Sequence, residues 1–109
     1  TSYYGGGIFI NPYTSSTTVL TMTTCTISEN MAGGNGGGLY IDSEIVTMTT
    51  CTISKNIADN SFGGGIYIGG TATVVTMADC TISDNTANRD GGGIYIRGTS
   101  TVVTMTDCT

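Results

Sequence analysis

A short glycine-led phrase that returns four times constrains the fold of this chain more than any other feature. GGGIFI begins at Gly5, GGGLYI at Gly36, and GGGIYI at both Gly63 and Gly91. Successive starts are separated by 31, 27 and 28 residues. A fixed period of this length is typical of repeat proteins in which each repeat forms one turn of a coil. A single turn cannot bury a core of its own, so the turns are expected to stack.

A second phrase, CTIS, follows the same period. It begins at Cys25, Cys51 and Cys80, and the letters CT recur at Cys108. A methionine stands three residues before each of these cysteines, at Met22, Met48, Met77 and Met105. Spacing inside each phrase is constant, and the variation falls between the phrases, where surface loops absorb insertions.

The residues between the glycines favour strands and not helices. Thr, Val and Ile have high β-propensity, and no window shows the i, i+3, i+4, i+7 apolar spacing of an amphipathic helix. We therefore predict an all-β fold, a right-handed parallel β-helix (β-solenoid) of about four turns of 26–31 residues, with three short strands per turn. Residues 1–109 are expected to form a single solenoid segment, either a fragment of a longer chain or a unit that stacks on copies of itself.

Strict alternation along the predicted strands assigns side chains to the inside or the outside of the coil. The outward column of the first strand is aromatic, with members Phe9, Tyr40, Tyr67 and Tyr95. The outward column of the second strand is threonine, with members Thr21, Thr47, Thr76 and Thr104. Each CTIS phrase is followed by an asparagine two positions on, at Asn30, Asn56 and Asn85. Asparagine tolerates left-handed turns, and stacked asparagines can hydrogen-bond from turn to turn.

The four cysteines have two interpretations. They form either an inward column of buried thiols or disulfides between neighbouring turns, as Cys25–Cys51 and Cys80–Cys108, because stacked strands lie within bridging range. Spacings of 26 to 29 residues and the absence of histidine argue against a metal site. We predict no metal and no cofactor.

The outward columns also have two interpretations each. The aromatic column either stabilises the sheet by stacking or forms a contact stripe for a glycan, a surface or a neighbouring rod. The threonine column is either an ordinary solvated wall or resembles the threonine arrays of ice-binding β-solenoids. Variable loop lengths and Ala78 are expected to break the regularity that an ice-binding surface requires.

Charge and hydropathy exclude several classes of function. Eight acidic residues against three basic ones give a net charge of −5, which disfavours a nucleic-acid partner. No apolar stretch is long enough to span a membrane. Asp79 and Asp107 align one turn apart but are expected to be exposed corner residues, and the chain has no histidine. We therefore predict that this segment is not an enzyme.

Two motifs together resemble a known repeat family. The glycine–aliphatic motif occurs at residues 36–41, 63–68 and 91–96, and Ile-Ser-x-Asn occurs at residues 27–30, 53–56 and 82–85. This combination resembles the polymorphic outer-membrane-protein type of repeat, found in autotransporter passenger domains, with Ile where that family often has Phe. The resemblance implies an extracellular or cell-surface location.

These features together favour a structural component of a filament, stalk or surface appendage built from stacked turns. The alternative is an adhesin or glycan-binding module that uses the aromatic column. Expected partners are copies of the chain or adjoining turns, and also glycans or a cell surface.

Overall fold

A computed structural model describes residues 4–10, 19–42, 45–71 and 73–109 of the chain. Within these ranges every regular element is a β-strand, and every strand pairs in parallel with the equivalent strand one turn away. The strands form four sheets that wrap around a common core. The predicted parallel β-solenoid is therefore confirmed.

The first sheet contains the aliphatic–aromatic–aliphatic part of each glycine-led phrase. Its strands are β1 (Ile8–Ile10), β5 (Leu39–Asp42), β9 (Ile66–Gly69) and β13 (Ile94–Ile96). Equivalent residues pair directly, so Phe9, Tyr40, Tyr67 and Tyr95 follow one another along the coil axis. The aliphatic residues on either side of the aromatic point into the core.

The second sheet contains the five-residue segments that end in Met-Thr or Met-Ala. Its strands are β2 (Val19–Thr23), β6 (Ile45–Thr49), β10 (Val74–Ala78) and β14 (Val102–Thr106). All five positions pair without a shift across all four strands. The length differences between the repeats therefore lie outside this sheet.

The third and fourth sheets complete each turn. The third is built from Thr-Ile-Ser segments, β3 (Thr26–Ser28), β7 (Thr52–Ser54) and β11 (Thr81–Ser83). The fourth consists of two-residue strands, β4 (Met31–Ala32), β8 (Ile57–Ala58) and β12 (Thr86–Ala87). The expectation of three strands per turn was wrong, because a two-residue strand shows no alternation that a sequence pattern could detect.

The number of turns also differs slightly from the prediction of four. The first and second sheets have four strands each, whereas the third and fourth have three, so the described chain winds through about three turns. Each glycine phrase opens a turn, but a turn is complete only when its fourth strand has been formed. Counting glycine phrases therefore overstates the number of complete turns.

Sharp bends separate the sheets and depend on left-handed backbone. Between the second and third sheets, the residue before each cysteine has positive φ, at Thr24, Thr50, Asp79 and Asp107. A second set precedes the asparagines, at Glu29, Lys55 and Asp84. The asparagines themselves do not have positive φ, and their side chains bond those of the neighbouring turns. Gly63 opens its phrase at φ +69°, where a Cβ would lie 2.6 Å from the carbonyl oxygen of Ile66.

The core is a set of vertical columns of apolar side chains. Its fully buried members include Leu39, Ile41, Val46, Met48, Ile53, Ile66, Ile68, Val75 and Met77. Burying a side chain of this size contributes about 1.5–3 kcal/mol. Each residue packs against its equivalents one turn above and below, so the stacking of turns creates the core.

Candidate functional site

The outward aromatic column forms a continuous stack of rings, here called the aromatic ladder. Ring centroids are 5.0 Å apart between Phe9 and Tyr40, 4.9 Å between Tyr40 and Tyr67, and 5.7 Å between Tyr67 and Tyr95. Interplanar angles of 11° to 23° make these stacked pairs. An aromatic pair of this kind adds about 0.5–1.5 kcal/mol beyond its buried area. The ladder therefore joins four successive turns along the outside of the coil.

Two further aromatic rings extend the ladder beyond the residues named from the sequence. Tyr4 lies 5.1 Å from Tyr40, and Phe62 stacks on Tyr95 with centroids 4.5 Å apart. Arg89 places its guanidinium 5.6 Å from the Phe62 ring centre, within cation–π range. The sequence contains a signal for these residues, because Tyr4 and Phe62 each directly precede a triple glycine.

Tyr67 is more deeply buried than an outward side chain was expected to be. Its exposed fraction is 7%, whereas Phe9 is 40% exposed. The ring lies on the outside of the coil, but Tyr40 and Tyr95 cover its two faces. The expectation of an exposed ring at this position was therefore wrong. Alternation gives the side of the wall on which a residue lies, but not what covers it there.

Burial changes the acidity of the ladder. It raises the pKa of Tyr40 to about 12, and the nearby Asp42 carboxylate, whose oxygen accepts a 3.5 Å hydrogen bond from the phenol, adds to this effect. Burial also raises the pKa of Tyr67, although the positive charge of Arg97 partly opposes it. Both phenols are therefore held in their neutral form.

Alkaline pH is expected to destabilise the fold through Tyr40. Because folding raises the pKa from 10.0 to about 12, the folded chain holds the phenol proton more tightly than the unfolded chain does. This stabilisation is complete below pH 10 and is lost as pH rises towards 12. Urea unfolding at several alkaline pH values should show a falling free energy of unfolding. Tyr40→Phe keeps the ring stack and should flatten the slope; an unchanged slope would contradict the assignment.

Three asparagines form a hydrogen-bonded column inside the coil, here called the asparagine ladder. The amide nitrogen of Asn30 donates to Oδ1 of Asn56 at 3.1 Å, and that of Asn56 donates to Oδ1 of Asn85 at 3.0 Å. The same oxygens accept the backbone N–H groups of Asn30 and Asn56 at 3.0 and 2.9 Å. Asn56 is fully buried and also donates to the carbonyl of Ile27.

The four cysteines form an inward column, here called the cysteine column. All four are free thiols; Cys51 and Cys80 are buried, and Cys25 and Cys108 are half-buried. Three of them contact the carbonyl oxygen of the core methionine one turn earlier, with sulfur–oxygen distances of 3.6 Å. Burial raises the pKa of the Cys80 thiol, which keeps it protonated and unreactive.

The second sheet presents an outer surface rich in threonine, here called the threonine wall. It consists of the outward residues of four strands: Val19, Thr21, Thr23; Ile45, Thr47, Thr49; Val74, Thr76, Ala78; Val102, Thr104, Thr106. Thr21, Thr76 and Thr104 are exposed and Thr47 is half-buried. Neither the wall nor the inward residues of its strands include a charged side chain.

Comparison with known families agrees with this architecture. A family model for the right handed beta helix region matches residues 4–109. The chain belongs to the right-handed β-helix family. Comparison with curated proteins and with solved structures gave no significant match.

Ionisable groups of this β-helix are dispersed. Asp79 and Asp107 occupy the same bend on successive turns, both exposed, and the N–H of Asp79 donates to the carbonyl of Thr106. Among the described residues, no three His, Cys, Asp or Glu side chains lie close enough together to hold a metal ion. Residues 4–10, 19–42, 45–71 and 73–109 also include no helix long and apolar enough to cross a membrane.

Thiol reactivity in the β-helix is expected to follow burial. In the native chain a soluble thiol reagent should label Cys25 and Cys108 quickly, whereas Cys51 and Cys80, each 1% exposed, should react only after denaturation. Peptide mapping of the labelled sites would measure this order. Equal labelling of all four would contradict the buried positions. An intact mass lower by two hydrogen atoms per bridge would instead support the inter-turn disulfides predicted above.

Proposed function

We propose that this β-helix segment is a structural component of an extracellular filament, stalk or surface appendage. The observation that carries the proposal is the continuous register of the strands. Every described strand pairs with its equivalent one turn away without a shift. The aromatic and asparagine ladders likewise join each turn to the next. The strand pairing and both ladders of this segment therefore run along the coil axis.

The mechanical consequence is a rod whose length grows with the number of turns. Inter-strand hydrogen bonds run along the axis, and stability in such solenoids is approximately a sum of turn stabilities and contacts between neighbouring turns. Each added turn extends the stack along its axis by about 4.8 Å, the spacing of neighbouring strands. The proposal includes no catalytic step in this segment.

The partners of such a rod would be further β-helix turns whose strands pair in the same register, either from this chain or from a copy of it. Ile96 and Met105 are 51% and 47% exposed, whereas their equivalents Ile68 and Met77 are fully buried beneath the next turn. A surface or secreted location is part of the proposal. It rests on the resemblance of the Ile-Ser-x-Asn and glycine–aliphatic motifs to the polymorphic outer-membrane-protein repeat.

Electron microscopy of material from the native source, without overexpression, tests the structural role. We expect long uniform rods or cell-attached stalks with an axial repeat near 4.8 Å, the spacing of stacked parallel strands. Recovery of the chain only as isolated compact particles would overturn the proposal.

Glycan binding by the aromatic ladder is the second candidate. Sugars stack on the faces of aromatic rings, and in this ladder the faces of Tyr40 and Tyr67 are occupied by neighbouring rings. The more open rings are Tyr4 and Phe9, 39% and 40% exposed, which line a recess with Gly5, Gly6 and Gly7. Glycan-array binding that is lost in Tyr4→Ala and Phe9→Ala, with the fold intact, would favour this role over the structural one.

A further inference from the structure

The threonine wall is regular in two directions. Its four strands pair without a shift at all five positions, so each outward residue lies directly beside its equivalent one turn away. The variable loop lengths, which were expected to disrupt this surface, are accommodated elsewhere in each turn. Two of the three columns of outward residues consist of threonine, and only Ala78 interrupts them. Its side chain is a methyl group.

The dimensions of the wall follow from strand geometry. Neighbouring strands lie about 4.8 Å apart, and outward residues two positions apart along a strand are about 6.6–6.8 Å apart. Hydroxyl and methyl groups therefore repeat on a nearly rectangular net. A net of this kind is complementary to a ligand that is itself periodic in two dimensions.

The chemistry of the wall narrows the choice of ligand. No residue of the four strands is charged, and the acids that adjoin these strands in sequence, Glu44, Asp79 and Asp107, fall outside the strand bounds. The wall therefore offers nothing that would attract an ionic partner. Its area, roughly 300 Å² from four strands of five residues, is also well below the roughly 800 Å² that each partner buries in a stable protein interface.

We propose that the threonine wall binds the surface of ice crystals. Water molecules on the prism faces of hexagonal ice repeat on a rectangular net of similar dimensions to the wall. Threonine hydroxyls can hydrogen-bond to such a net while threonine and valine methyls pack into it. A small contact area suffices because the ligand is frozen solvent, which surrounds the protein at very high concentration.

Matched substitutions on two walls test the proposal. Thr76 lies on the threonine wall and Thr81 on the outer side of the third sheet, and both are exposed strand residues. Purified chain should inhibit ice recrystallisation and produce thermal hysteresis. Thr76→Tyr should raise the concentration needed for inhibition by at least about tenfold, equivalent to roughly 1.4 kcal/mol, whereas Thr81→Tyr should leave it unchanged. Circular dichroism would show that both variants remain folded.

A variant that is expected to bind ice more strongly provides a second test. Ala78→Thr completes the net at its one gap and should lower the concentration needed for inhibition. The proposal is overturned if the parent chain has no more effect on ice than an equal mass of serum albumin. It is also overturned if Thr76→Tyr and Thr81→Tyr behave alike, or if Ala78→Thr brings no gain. None of these outcomes bears on whether the chain forms rods, which microscopy tests separately.

Discussion

Replacing Gly64 with alanine is expected to disrupt the stacking of turns. A Cβ at this position would collide with the carbonyl oxygen of Thr86, at the end of the same turn, and would lie 2.5 Å from that of Gly92, in the following turn. Overpacking usually costs about 1–3 kcal/mol, and here the colliding atoms are backbone held in a hydrogen-bonded ladder, so we expect a loss of at least about 3 kcal/mol. A loss of that size is a large part of the stability of a typical domain.

Gly92 provides a matched control because it occupies the same place in the next glycine phrase. There the nearest atom to an added Cβ is the carbonyl oxygen of Asn85 at 3.1 Å, a tight contact but not a collision. Gly92→Ala should therefore be nearly neutral, since alanine also restricts the unfolded chain. Thermal unfolding followed by circular dichroism measures both variants. Equal melting temperatures would contradict the proposed contact between turns.

Removing the side chain of Asn56 is expected to have the second large effect. Asn56→Ala deprives the N–H of Asn30 and the carbonyl of Ile27 of their partners and breaks the amide contact with Asn85. A buried polar group left without a partner costs about 1–3 kcal/mol, so the total should be about 3 kcal/mol or more. Denaturant unfolding gives the free energy directly.

Asn88 is the control for this change. Its amide donates to Oδ1 of Asp59 at 2.9 Å, one turn away, but the pair is exposed. Asn88→Ala should alter the free energy of unfolding by no more than about 0.5 kcal/mol, as is usual for surface sites. If Asn56→Ala were no more costly than Asn88→Ala, the buried ladder could not be an important source of stability.

The sequence predicts those parts of the fold in which the spacing of the repeats determines both the residue pattern and the packing of side chains. Ile66 and Ile68 recur at fixed positions within each phrase, and the inward side of a strand follows from alternation alone. The vertical alignment of the asparagines follows from the same period. Hydrogen bonding of these side chains from turn to turn was expected and is present, whereas the left-handed residue lies one position earlier, as at Lys55 before Asn56.

The parts that the sequence does not predict depend on contacts between turns. The strand Ile57–Ala58 is too short to show a period, and its pairing becomes visible only when the turns are stacked. The burial of Tyr67 depends on Tyr40 and Tyr95, which stack on it from the turns on either side. Tyr4 and Phe62 join the aromatic ladder through similar long-range contacts.

The direction of the asparagine ladder has a consequence for the symmetry of any association along the axis. Each amide nitrogen points to the carbonyl oxygen of the asparagine in the following turn, so the two ends of the ladder differ chemically. A head-to-head arrangement would place like groups against each other and would also make the strands antiparallel. Copies that continued the ladder would therefore be related by translation along the axis and rotation about it. Such contacts are heterologous, and they generate open arrays instead of closed two-fold dimers.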